Sequence, residues 1–301
     1  MTVSEAISES MQLESFQLSA IDIAGADLAQ LHALSISVRW PHRSEDWQFM
    51  RDSGRGIAAV DDIGRIVGSA MWFPEEDRFA TIGMVITSPR LQMHGAAQWL
   101  MQHALADLQG YRLGLNATRP AERLYRSLGF RDEATVYQHQ GEVQDPPPPP
   151  ELTAGEILRP VTPEDHAALT ALDRQAFRAG RTVLMQRLFP LSTGVVLERN
   201  GTIVAFSLCR RFGRGHVVGP LVAADDRDAM IVMHPHLDAY QGRFLRIDTR
   251  QPKGTPFSDL VVTSGIALFD TVTTMTLGCS WTTGQQAGAP LTYGLVAQTL
   301  G

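Results

Sequence analysis

The chain has 301 residues, 44% of them hydrophobic and 19% charged, enough apolar material for a packed core and too much for global disorder. Its 26 basic and 32 acidic residues leave a formal charge of −6, and no dense Lys/Arg run interrupts that balance, so no nucleic-acid partner is expected. The two cysteines, Cys209 and Cys279, sit in no CxxC or Cys/His pattern, which excludes a disulfide framework and favours a reducing compartment.

In chain order, residues 1–15 read as a polar, acidic tail, unlike a secretory or transit segment, and no later apolar run is long enough for a bilayer. The expected location is therefore cytoplasmic, with no membrane partner. Residues 26–34 have the apolar spacing of an amphipathic helix. Trp40, His42 and Trp47 follow, before a second helix, and their rings could line a pocket for an amine or cap the core. Residues 57–70 form two apolar, β-rich runs around Asp61-Asp62-Ile63-Gly64, a hairpin signal with glycine at the tight position. Glu75, Glu76 and Asp77 read as a solvated turn.

An apolar strand at residues 84–89 then enters Gln92-Met93-His94-Gly95-Ala96-Ala97 and a helix. Small residues at such a turn let main-chain N–H groups close around an anion, and the helix dipole favours negative charge there. A diphosphate would fit, as would a close-packed connection with no ligand. The GxGxxG of a dinucleotide fold and the Lys-Ser/Thr of a P-loop are both absent. Residues 111–118 read as another strand, and 119–130 as a short helix closed by Gly129.

Asp145 and the five prolines at 146–150 divide the chain almost in half. Prolines lack amide donors and favour extended backbone, so the segment is expected to be a stiff spacer. The second half repeats the first. A helix at 164–172 starts after Thr162 and Pro163, a hairpin at 195–207 turns at Asn200-Gly201, and strands fall at 217–220 and 243–249. Where the first half has its glycine turn, the second has Asp225, Asp226 and Asp228, which would repel a diphosphate. His234-Pro235-His236 reads as a surface turn, no histidine group has metal-ligand spacing, and residues 291–295 read as a closing strand. The expected fold is α/β, a mixed sheet with helices, present as two copies.

Two stretches of the first half together resemble the Gcn5-related N-acetyltransferase (GNAT) superfamily. Gln92, Gly95 and Ala97 match its loop pattern [Q/R]-x-x-G-x-[G/A]. Ala121, Leu124, Tyr125, Gly129 and Phe130 match its later small-x-x-[L/F]-Y-x-x-x-G-F motif. The run from Trp40 to Trp47 and Tyr137-Gln138-His139-Gln140-Gly141 look like a bacterial subgroup. Ala97 stands where glycine is usual, and its methyl narrows the approach of phosphate.

The resemblance implies tandem GNAT-like domains: a tail at 1–15, a catalytic domain at 16–141, a proline-rich linker at 142–154 and a degenerate domain at 155–301. It implies acetyl-CoA as co-substrate, no metal and a small-molecule amine as acceptor. The main chain of Val85, Ile86 and Thr87 would pair with the pantetheine amides, and Gln92, Met93, His94, Gly95, Ala96 and Ala97 would hold the diphosphate. An N–H near Ile86 would polarise the thioester, and Tyr125 would protonate the departing thiolate. Trp40, His42 and Trp47 would line the acceptor pocket, and no residue stands out as general base. A homodimer is compatible with this scheme. The competing expectation is a CoA-binding or regulatory module without turnover.

Overall fold

In the computed structural model, which describes residues 8–12, 17–91, 95–278, 280–281 and 288–301, one order of elements occurs twice. The first half runs β1 (Ser10–Gln12), β2 (Gln17–Asp22), α1 (Leu28–Ser37), α2 (Ser44–Ser53), β3 (Arg55–Val60), β4 (Ile66–Pro74), β5 (Phe79–Thr87), α3 (Ala96–Asp107), β6 (Arg112–Ala117), α4 (Glu122–Ser127) and β7 (Arg131–Glu142). The second runs β8 (Glu156–Pro160), α5 (His166–Phe177), α6 (Thr182–Leu188), β9 (Ser192–Arg199), β10 (Thr202–Phe212), β11 (Gly215–Ala223), α7 (Asp226–Ala239), β12 (Phe244–Thr249), α8 (Pro256–Thr263), β13 (Leu268–Leu277) and β14 (Leu291–Gly294). From β2 to β7 and from β8 to β13 the succession is the same, so the mixed α/β unit expected from the sequence is present twice.

Local chemistry sets these boundaries. Asp27 caps α1 by accepting the Gln30 N–H at 2.8 Å, and Asp165 accepts the Thr162 N–H at 2.8 Å ahead of α5. Asn200 and Gly201, with φ of +50° and +79°, make the two-residue turn between β9 and β10. That conformation matches the right-handed twist of the strands it joins.

The two halves share one sheet, in the order β1-β2-β3-β4-β5-β6-β13-β7-β12-β11-β10-β9-β8. Each half surrenders its last long strand to the other. β13 adds antiparallel to β6, with Thr273 opposite Ala117, while β7 adds antiparallel to β12, with Tyr137 opposite Thr249. β13 and β7 pair with each other at the centre, Thr273 opposite Thr135. Neither half can therefore keep all its strand hydrogen bonds alone, because a pulled-away β13 would strip the edges of both β6 and β7.

Other contacts join the halves. Arg174 of α5 pairs with Glu76 and Asp77, which also accept the N–H groups of Thr182 and Gly180, so the acidic turn expected to be solvated is docked on the second half. His234-Pro235-His236, expected as a surface turn, lies inside α7. Both histidines are buried there: His234 Nε2 donates to the Pro147 carbonyl at 2.7 Å, and His236 Nε2 bonds the Ser207 hydroxyl at 2.8 Å. The first of these bonds ties the proline segment to the second half.

Candidate active site

β5 and β6 lie parallel and are paired from Phe79↔Arg112 to Ile82↔Leu115, where pairing stops. β5 continues to Thr87 with β4 on its other side, Ile86 opposite Ser69 and Thr87 opposite Gly68. Within that stretch the register slips and Met84 takes a φ of +51°, an uncommon value for a residue with a side chain. The buried Ser69 hydroxyl holds this bulge by donating to the Met84 carbonyl at 2.7 Å. The bulge turns a short length of β5 main chain toward the gap between the strands. Strain of this kind persists only where the surrounding structure enforces it.

Val85, Ile86 and Thr87 sit on this stretch. The next predicted residues, Gln92, Met93 and His94, lie outside the described residues. Gly95 ends the loop with φ +76°, a left-handed conformation that disfavours any side chain, and serves as N-cap of α3. Among the described residues no side chain caps this helix, and its first turn, beginning Ala96-Ala97, holds no acidic residue. Its leading N–H groups therefore have no side-chain acceptor among the described residues, beside the positive end of the helix dipole. An unpaired strand edge running to an uncapped helix N-terminus suits a ligand with amides followed by a diphosphate.

Between the parted strands lies a cavity of about 290 Å³. From the first half it is lined by Trp40, His42, Gly83, Met84, Val85, Asn116, Tyr125 and Gln138. Arg246, Asp270, Gln298 and Thr299 line it from the second. Tyr125, on α4, packs its ring against Phe130, and its hydroxyl has no hydrogen-bond partner among the described residues. Burial pushes its phenol well above the ordinary range, so it stays protonated at every working pH. Burial likewise holds His42 at about 4, so the imidazole is neutral near pH 7. Trp47 does not line this cavity. It is 0% exposed between α1 and α2, where its Nε1 donates to the Ser35 hydroxyl at 3.2 Å.

Beside Arg246 and Asp270, the second half contributes the segment at residues 295–301. Asn116 donates to the Gln298 carbonyl at 2.6 Å, and the Gln298 amide reaches Gln138 at 3.0 Å and Asp248 at 3.1 Å. A Cβ on Gly83 would lie 2.4 Å from the Thr299 methyl, so this wall packs directly on β5. Arg181 anchors the segment from behind. Fully buried, it pairs with Asp173 through two contacts of 2.7 Å and donates to the Leu300 and Gly301 carbonyls. Gly83, Asn116 and Gln138 fell in stretches that the sequence singled out, whereas Arg181, Gln298 and Thr299 did not.

A larger groove of about 1260 Å³ runs past Trp72, Trp99 and His103, but it touches neither the free stretch of β5 nor Tyr125. Glu75, held at about 7 mainly by burial, does not line the central cavity either.

The matching place in the second half is closed. β11 and β12 pair only at His216↔Leu245 and Val217↔Arg246, and β14 then occupies the gap along β11, Leu221 opposite Gly294 and Val222 opposite Thr292. A Cβ on Gly219 would lie 1.8 Å from the Leu295 carbonyl oxygen. Asp225 caps α7 by accepting the Asp228 N–H at 2.9 Å, while Asp226 accepts the Tyr293 hydroxyl at 2.8 Å. Main chain and carboxylates thus take up both the strand edge and the helix end that the first half leaves free.

Comparison with known proteins agrees with this duplication. A model of the acetyltransferase (GNAT) family matches residues 26–130, and an acetyltransferase (GNAT) domain model matches residues 169–287. No curated protein matches the sequence. Among solved structures, a candidate acetyltransferase from Pyrococcus horikoshii is similar over 98% of this chain and 99% of its own, with 17% identity and a TM-score of 0.74. A GCN5-related N-acetyltransferase from Sphaerobacter thermophilus covers 86% of this chain and 95% of its own, at 16% identity and a TM-score of 0.58. A tandem GNAT protein from the clavulanic acid biosynthesis pathway covers 87% and 99%, at 13% identity and a TM-score of 0.60. At such identities the likeness is one of fold, and with a matching domain in each half the chain belongs to the Gcn5-related N-acetyltransferase superfamily as a tandem member.

Proposed function

We propose that the chain is an N-acyltransferase that moves an acetyl or other short acyl group from acyl-CoA to a primary amine of a small molecule, using the first half as its catalytic domain. The observation that carries this reading is the contrast between the halves: one keeps a free strand edge leading to an uncapped helix N-terminus, the other has filled both.

In this scheme the main chain of Val85, Ile86 and Thr87 pairs with the pantetheine amides, and the turn at Gly95 with the first N–H groups of α3 binds the diphosphate. An N–H near Ile86 polarises the thioester carbonyl. The neutral amine attacks that carbonyl carbon directly, the C–N bond forms as the C–S bond breaks, and Tyr125 gives its proton to the departing sulfur. Burial raises the Tyr125 phenol, and the same desolvation raises a thiolate released into this cavity, so the transfer stays feasible. The surplus proton of the attacking nitrogen leaves through water, because His42, at about 4, is too weak a base for it. The Asp270 carboxylate and the Trp40 ring in the cavity lining favour an acceptor that enters as an ammonium and gives one proton to water before the neutral amine attacks.

Release of free thiol from acetyl-CoA, measured over a panel of small primary amines, tests the proposal. Saturable turnover with at least one amine is the expected result. Saturable binding of acetyl-CoA with no turnover across the panel would instead identify a non-catalytic CoA-binding module.

A further inference from the structure

The exchanged strand β13 brings an aromatic ring to the cavity that holds Tyr125. Its pairing with β6 begins at Thr273, opposite Ala117, so residues 268–272 run past the end of β6 with β7 alongside. Phe269, Asp270 and Val272 of this stretch line the cavity. Thr273 fixes the stretch beside α4, the helix of Tyr125, by donating its hydroxyl to Glu122 at 2.8 Å. Leu268 lies opposite His139 and Asp270 opposite Gln138, so Phe269 is the extra residue of a β-bulge. Such a residue has no partner across the ladder, and bulges beside active sites re-aim a side chain. Phe269 is 61% exposed, and its ring meets no other ring among the described residues.

An isolated apolar side chain on an open surface means little, but one set in a cavity lining offers contact area to whatever enters. The polar neighbours, by contrast, are largely committed to one another. Asn116 donates to the Gln298 carbonyl, and its Oδ1 accepts the Thr274 hydroxyl at 2.7 Å. Gln138 accepts the Gln298 amide and donates its own to Gln140 at 3.0 Å. Arg246 pairs with Asp248 through contacts of 2.9 and 3.0 Å. A hydroxyl-rich acceptor would have to displace these bonds or bury its own groups unpaired, whereas an apolar one meets Val38, Pro41, Phe212 and Val272.

We propose that Phe269 determines acceptor specificity: its ring packs on the carbon body of the acceptor, a primary amine with an aromatic or bulky apolar group rather than a polyhydroxylated one. Asp270, next along the strand, attracts the ammonium. The proposal rests on the acyl-transfer reading of the same cavity. It also gives the strand exchange a role, because the second half then supplies the side chain that selects the substrate of the first.

Thiol release from saturating acetyl-CoA, with 2-phenylethylamine and with ethanolamine as acceptors, tests this in the full chain, using Phe269→Ala and Phe269→Leu as comparisons. Both acceptors present one ammonium, so only their carbon bodies differ. In the parent protein kcat/KM for 2-phenylethylamine should exceed that for ethanolamine by at least about tenfold. Phe269→Ala should lower this ratio about tenfold, and Phe269→Leu, which restores apolar area, should keep it within about threefold of the parent. An unchanged ratio in Phe269→Ala, or a parent that prefers ethanolamine, would overturn the proposal, as would turnover of other amines but of neither of these. Absence of turnover with every amine defeats the acyl-transfer reading instead. The site is then decided by calorimetric titration of 2-phenylethylamine into the CoA-saturated protein. Phe269→Ala should weaken that binding about tenfold; equal binding in the two proteins, or none in the parent, overturns the assignment of Phe269.

Discussion

Arg181→Met tests how strongly the second half holds the wall of the active-site cavity. Arg181 and Asp173 are both shut off from solvent, bonded through two contacts of 2.7 Å, and the guanidinium also donates to the carbonyls of Leu300 and Gly301 at 3.1 and 2.9 Å. Removing only the cation leaves a buried carboxylate unpaired, a change that costs about 3–5 kcal/mol. Removing both charges, as in Arg181→Met with Asp173→Leu, lifts that penalty and leaves chiefly the two orphaned carbonyls, about 1–3 kcal/mol each and common to both variants. The double variant should therefore be more stable than Arg181→Met by about 3 kcal/mol, and the double-mutant cycle, which also counts the cost of Asp173→Leu alone, should return a coupling at least that large. Urea unfolding followed by tryptophan fluorescence provides all four stabilities. In the single variant the loosened segment at 295–301 should also raise the KM for the amine while leaving CoA affinity within about twofold. A double variant no more stable than Arg181→Met would refute the argument, since the unpaired carboxylate could not then be the source of the loss.

The proton donor, the diphosphate turn and the interdomain carboxylate each give a further expectation. Tyr125→Phe should lower kcat by about 10²-fold or more with little change in acetyl-CoA affinity, the signature of a lost acid; an equal kcat would remove Tyr125 from the mechanism. Gly95→Val, which forces a β-branched side chain into φ +76°, should weaken CoA binding at least tenfold by calorimetry, and unchanged affinity would contradict the placement of the diphosphate. Glu75 is held at about 7 by burial, with Asp173 and Glu76 adding and Arg181 opposing. The folded state therefore binds its proton more tightly than the unfolded chain does, and stability falls as pH rises from the ordinary carboxylate range toward 7. Glu75→Gln should accordingly raise the melting midpoint at pH 8, by a few degrees, and change it little at pH 4.5; equal effects at both would exclude this ionisation.

The local elements were legible in the sequence because their signals are local. Thr162 marks a helix start, Gly64 and Asn200-Gly201 mark hairpins, and the order of these features repeats across the proline run. The strand through Val85 and the motif around Tyr125 located two sides of the cavity. What stayed hidden was long-range. β7 and β13 alternate in the same way whether they pair within their own half or across to the other, so nothing local announces the exchange. For the same reason β14 was readable as a strand but not as the filler of the second gap. Trp47 shares residue type and neighbourhood with Trp40, and only packing separates the core residue from the lining one. Pro235 reads as a helix breaker, yet α7 carries it with buried histidines on either side. Gln298 and Thr299 reach Asn116 and Gly83 from the far end of the chain, a distance that no motif spans.

Crystals soaked with coenzyme A put the central claim to its most direct trial. The expected density follows the free stretch of β5, with the diphosphate at the Gly95 turn and the N-terminus of α3, and with the gap along β11 still filled by β14. Density for the diphosphate elsewhere, or none at the α3 N-terminus of a saturated crystal, would contradict the assignment of the first half as the acyl-CoA domain.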